Sequence, residues 1–181
     1  YSKILRSGDY KLLRESLDKS YYAQLTQSAR ESGDLYTKKF LDYWIDSLNA
    51  VLVARMVFSN AGAKEIIPYL IEGGNCAFYE NLAAEKDRQK LLNAVKEKFE
   101  LTQGLIEKVG KTSELSWMEL ALERKVAQKA RKCLSISVLS PAVAVCFLYL
   151  KHQEIHSLRR IAFATEFDYG DELRDTIVVA G

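Results

Sequence analysis

Two histidines, His152 and His156, stand four residues apart with Glu154 between them, a spacing that sets both imidazoles on one face of a helix. Zinc-dependent hydrolysis is the chemistry such a pair invites. In a zinc-protease helix, however, the glutamate directly follows the first histidine, where it serves as general base beside the metal. Gln153 holds that place here, and Glu154 projects about 200° around the helix from His152 at roughly 100° per residue. No third ligand is evident, so the pair reads as surface or interface histidines and no metal site is expected.

Other groups able to do chemistry are no better placed. Cys76, Cys133 and Cys146 are widely spaced, each with an apolar neighbour and none with a base nearby in sequence, which suits free thiols packed in a core. Gly73-Gly74 lacks the lysine and hydroxyl of a phosphate loop, and a structural turn is the better reading. Two basic clusters, Arg124 to Lys132 and Lys151 to Arg160, read as solvated faces, the first largely explained by a helix C-terminus.

Composition agrees with this quiet inventory. The chain has 181 residues, 48% hydrophobic and 28% charged, enough for one or two compact domains with a real core. Twenty-six basic against 24 acidic residues give a net charge of +2, which argues against a dedicated nucleic-acid binder. An odd number of cysteines without a CxxC pair suits a reducing compartment. The uncharged run from Cys133 to Leu150 is at the lower limit for a membrane span, but Ser140 and Pro141 read as a cap and a first helical residue, dividing it into a loop and a helix start. The opening YSKILRSGDYKLL lacks an apolar segment of useful length, so no signal peptide is expected in it.

With only two prolines and nine glycines, nearly everything reads as helix. The first runs from Asp9 to about Arg30 on a stripe of Leu13, Leu17, Tyr21 and Leu25, and the second, capped by Asp34, from Leu35 to about Ser59. Pro68 limits the next to a short helix near Lys64, a glycine turn spans Glu72 to Asn75, and Cys76 to Ala84 forms another short helix. Lys86 to Lys108 is amphipathic with a break expected near Gly104, and Gly110 to Thr112 is a connection. Ser116 and Glu119 fit a capping box for the following helix. Pro141 starts a long helix ending near Asp168, with Gly170 as its stop and Thr176 to Val179 as a short extended end.

The helix around Phe40 to Asn60 is the organising element: from Leu48 to Phe58 it carries a single charge, Arg55, so it must be packed on most sides. Residues 149–170 echo it. At an offset of 108, Asp46 falls on Glu154, Asn49 on Ser157 and Gly62 on Gly170, while an offset of 110 matches Ile45, Ser47 and Leu48 to Ile155, Ser157 and Leu158. Polar residues in such helices need partners or a wet cavity, and Asp46 with Asn49, like Glu154 with Ser157, share a face.

LDKSYYAQL at 17–25, FLDYWIDSLNAVLVAR at 40–55, YLIEGGNCAFYENL at 69–82 and SPAVAVCFLYLKHQEIHSLRRIA at 140–162 resemble successive blocks of the C-type stalk protein of the V/A-type ATP synthases, the counterpart of the d-type stalk protein in eukaryotic V-ATPases. The resemblance implies an all-α, funnel-like architecture of three similar units built on long packed helices. Two pseudo-repeated units would be present, 1–112 and 113–181, with 86 as an alternative start for the second. A family member shortened by its N-terminal unit would account for the missing first unit.

The implied function is a central-stalk socket that couples a rotary shaft to the membrane rotor ring, without catalysis, cofactor, metal or small-molecule substrate. Its partners would be shaft and ring subunits, its place the cytoplasmic side, peripherally attached to the membrane through the complex. The family's acid-x-x-Asn element resembles Asp46 and Asn49, and its later acid-x-x-Asn-x-Arg element resembles Glu154, Ser157 and Arg159, with serine in place of asparagine. Glu72 stands where the family often has proline. Asp46, Asn49, Arg55, Glu154, Ser157 and Arg159 are the candidates for a socket lining or a buried polar network. A helical regulatory or nucleic-acid-binding module using Lys151 to Arg160 is the alternative.

Overall fold

The computed structural model describes residues 10–85, 87–136 and 139–166, and no strand occurs among them. Among the described residues eight α-helices follow one another: α1 (Tyr10–Glu31), α2 (Leu35–Phe58), α3 (Ala63–Ile66), α4 (Cys76–Ala84), α5 (Arg88–Phe99), α6 (Gln103–Thr112), α7 (Ser116–Ile136) and α8 (Ala142–Glu166). The fold is all-α. The expected stop at Gly170 and extended end at Thr176 to Val179 lie outside the described residues.

Helix α2 is the hub, packing against α1, α4, α5, α7 and α8. Its start follows from local chemistry: Gly33 takes a left-handed φ of +65°, and the Asp34 carboxylate accepts the Thr37 N–H at 2.7 Å, satisfying a free donor of the first turn. It ends where Asn60 turns left-handed at φ +61°, and Arg88 secures that end by donating to the Phe58 carbonyl at 3.0 Å. Pro68 tightens the chain after α3 into a 3-10 turn, Ile67–Tyr69.

Two apolar cores share α2 and α7. In the first, Ala50, Val53, Ala54 and Val57 meet Ile66, Tyr79, Leu91, Val95, Phe99, Ile106 and Met118. In the second, Phe40 and Leu41 meet Ala29, Val126, Ala130, Cys146 and Tyr149. Burial of each large apolar side chain contributes about 1.5–3 kcal/mol, so a hub with two packed halves is hard to displace. Helices α7 and α8 run antiparallel, because Glu123 meets Arg160 near one end and Cys133 meets Cys146 near the other.

Several local expectations need correction. The break expected near Gly104 falls at Glu100, which takes φ +53°, and Gly110 lies inside α6 because Ser113, at φ +58°, makes the turn. Glycine was a poor guide there because two other residues adopt the left-handed conformation. Ser116 is the first residue of α7 rather than its cap, and Glu119 reaches Arg55 on α2 instead of closing a capping box. Residues 133–136, expected in a loop, form the last turn of α7, which leaves Lys129, Arg131 and Lys132 short of the helix end.

On α1, Leu17 and Tyr21 are exposed, and the buried edge passes through Thr26 and Ala29; the helix packs on α2 along a narrow edge only. The side chain of Leu13 lies outside the described residues. Helix α8 begins as expected, with Ser140 Oγ accepting the Ala142 N–H at 3.0 Å. Its outer side leaves Phe147, Leu148, Ile155 and Leu158 exposed. Among the described residues no helix is long and apolar enough to cross a membrane.

Candidate functional site

The chain's polar organisation centres on the point where α2 passes the glycine turn at residues 71–75. Asn49, fully buried, donates through Nδ2 to the Ile71 carbonyl and accepts the Ile71 N–H at Oδ1, both at 2.9 Å. One side-chain amide thereby stands in for a backbone partner at the half-buried start of the turn. One helical turn earlier, Asp46 accepts the Asn75 N–H at 2.9 Å, and Asp42 accepts the Gly74 N–H at 3.2 Å. Three residues of α2 therefore hold three of the turn's five residues.

The turn needs its glycines. Gly73 and Gly74 have φ +133° and +56°, and a Cβ on Gly74 would sit 2.3 Å from Asp46 Oδ1. Only a glycine lets the backbone approach the carboxylate this closely. Cys76 adds a thiol that donates to the Gly73 carbonyl at 3.1 Å.

Lys98 of α5 closes the arrangement, 3.0 Å from Asp46 Oδ2 and with its ammonium 4.6 Å from the Phe78 ring centre and 5.1 Å from that of Tyr79. With 20% and 12% of the two side chains exposed, this ion pair is screened far less than a surface one. Tyr79 beneath it is fully buried, and its hydroxyl has no hydrogen-bond partner among the described residues. Burial, reinforced by the Asp46 charge, raises that phenol far above its ordinary range.

The other candidates lie elsewhere. Arg55 is exposed and pairs with Glu119 of α7. Glu154 and Arg159 are exposed, the former bonded to Lys151 at 2.7 Å, while Ser157 is buried on the inner side of α8. The structure joins Asp46 and Asn49 through one turn; it does not bring Arg55, Glu154 or Arg159 to them. Of the basic face from Lys151 to Arg160, Lys151 is held by Glu154, and Arg160 makes a bidentate pair with Glu123 at 3.1–3.2 Å.

Sequence reasoning passed over Lys98, Asp42 and Gln153. Lys98 is one of several lysines on an amphipathic helix, and nothing local marks it. Asp42 carried a signal, standing four residues before Asp46 and therefore on the same helical face. Gln153, also buried, donates to the Tyr149 hydroxyl at 3.2 Å. His152 and His156 approach each other with Nε2 atoms 3.2 Å apart; burial, His152 and the neighbouring arginines hold His156 below the usual histidine range. Among the described residues no three His, Cys, Asp or Glu side chains converge on a metal position.

This geometry is that of a stiff helical scaffold with an internal polar clasp. A family model for the ATP synthase (C/AC39) subunit matches residues 1–175. The chain belongs to that family. Similar proteins include the C subunits of three A-type ATP synthases, each 26% identical to it. That of Thermococcus onnurineus aligns over 167 residues, 90% of this chain and 45% of the relative. That of Pyrococcus horikoshii aligns over 173 residues, 88% and 45%, and that of Haloquadratum walsbyi over 177 residues, 95% and 50%. The chain thus spans about half the length of the curated relatives it matches. No solved structure gives a significant match.

Proposed function

We propose that this chain is part of the central-stalk socket of a rotary ATPase or ATP synthase, coupling a rotary shaft to the membrane rotor ring. Membership of the ATP synthase (C/AC39) subunit family carries the reading. The architecture supports it physically. Transmitting torque demands stiffness, and a hub helix packed on two cores with its neighbouring turn clasped has few soft joints.

In this reading Asp46 and Asn49 act by holding the fold rigid. Arg55, Glu154 and Arg159, with the apolar strip Phe147, Leu148, Ile155 and Leu158, are the groups a neighbouring protein of the complex can reach. The role is non-catalytic, at the cytoplasmic face and peripheral to the membrane. The division into units 1–112 and 113–181 belongs to the same proposal.

Affinity capture with the full-length protein tests it. Shaft and ring subunits should be retained together, and capture of neither would overturn the reading. Steeply salt-dependent binding of DNA or RNA would favour the alternative of a nucleic-acid module.

A further inference from the structure

We propose that His152 and His156 form an open, two-nitrogen chelate on α8 for a divalent transition ion of the zinc or nickel class. The two Nε2 atoms already face each other at 3.2 Å, with ring centres 4.4 Å apart. Two nitrogens bound to one tetrahedral zinc at about 2.05 Å are separated by about 3.3 Å, so the nitrogen spacing suits an ion once the rings pivot apart, in-line coordination setting their centres about 5 Å from each other.

The backbone beneath the pair is fixed. Tyr149, Gln153 and Ser157, on the adjoining face of the same turns, are buried, and the Gln153 amide is bonded to the Tyr149 hydroxyl. Preorganisation of this kind removes the ordering cost that two free histidines would bring to binding. The ion also has access, since His152 is exposed and His156 half-buried.

Without an ion, one ring must present an Nε2–H to the other ring's lone pair. Binding requires that hydrogen to shift to Nδ1 of its own ring, leaving two Nε2 lone pairs toward the ion and no net proton release. Imidazole nitrogens favour zinc, nickel and copper over magnesium and calcium, which prefer oxygen.

The site is incomplete by itself. Glu123 on α7 is near, but its two oxygens are engaged by Arg160 at 3.1–3.2 Å. The Glu123–Arg160 pair also offsets one of the two arginine charges beside the histidines, leaving Arg159 as the principal opposing charge. Two or more coordination positions therefore remain for water or for a donor from another chain, which makes the pair a docking point for an ion and not a catalytic centre.

Titration calorimetry and thermal melts of the untagged protein with nickel or zinc chloride test this. One ion per chain is expected, with the melting temperature rising as ion is added. H152Q and H156Q should each weaken binding at least as much as loss of an outer-shell partner, ~10-fold or more, and abolish the thermal shift. E154Q should bind like the parent. Unchanged melting of H152Q and H156Q without metal would show that folding is intact. Undiminished nickel binding in both histidine variants, or no heat and no thermal shift in the parent with either ion, would overturn the proposal.

Discussion

Ser140 donates its hydroxyl hydrogen to Asp34 Oδ2 at 2.7 Å, so the N-caps of α8 and α2 are bonded to each other across 106 residues of chain. Two helix starts, each with partial positive charge, converge on one carboxylate. Hydrogen bonds from the Thr37 side chain, Ser140 and the Thr37 backbone hold Asp34 below its ordinary value of 3.8.

This depression fixes a sign. The Asp34 carboxylate stabilises the fold fully above 3.8, and the contribution is lost as pH falls through the lower native value. Asp34→Ala should therefore lower the melting temperature at neutral pH, and the gap from the parent should close in strong acid. Melting curves over that range decide it, and a gap independent of pH would contradict the assignment.

Asn49→Ala should cost about 1–3 kcal/mol, since it takes the amide partner from the half-buried Ile71 N–H and leaves the Ile71 carbonyl with the weak Cys76 thiol donor at 3.5 Å. Asn49→Asp should be nearly as damaging, because a carboxylate can accept from the N–H but opposes the carbonyl. Urea unfolding measures both, and a loss under about 1 kcal/mol for Asn49→Ala would mean that the clasp contributes little.

Two glycines separate strain from collision. Gly33 and Gly74 both have positive φ, at +65° and +56°, but a Cβ would meet open space at Gly33 and Asp46 Oδ1 at Gly74. Gly33→Ala should cost about 1 kcal/mol and Gly74→Ala about 2 kcal/mol or more. Equal losses would show that conformation alone sets the requirement.

Ion pairs in the protein should differ by their burial. A double-mutant cycle on Asp46 and Lys98 should return a coupling of about 1–3 kcal/mol, whereas Arg55 and Glu119, exposed to 62% and 25%, should return under about 1 kcal/mol. Salt should weaken the second coupling more than the first. The reverse order would remove the case for Lys98 as part of the clasp.

Tyr79→Phe should be neutral or stabilising by up to about 1 kcal/mol, although the residue is fully buried. Its hydroxyl has no partner among the described residues, so deleting it removes a desolvation cost without opening a large cavity. A loss above about 2 kcal/mol in chemical denaturation would reveal a partner for this hydroxyl.

Helix α2 was legible because its cap, apolar run and stop signals are local and agree with one another. The same holds for Pro68, the glycine turn and the Ser140-Pro141 start. The break between α5 and α6 was misplaced because Glu100 takes a conformation that glycine usually marks. Capping logic gave Glu119 to Ser116, but tertiary contact gave it to Arg55. Of the clasp, the polar half on α2 was visible as acid and amide in an apolar helix; Lys98, supplied from 52 positions after Asp46, carried no mark in its own neighbourhood.

The bonds between α2 and the glycine turn join residues only 22 to 32 positions apart in sequence. Closing so short a loop sacrifices little chain entropy, and contacts of this range form quickly relative to those that span a whole domain. The α2-to-α4 segment can therefore reach its final shape while α7 and α8 are still undocked. Asn49 and Ile71 would then act first as a folding nucleus, setting the pace of assembly before the outer helices dock.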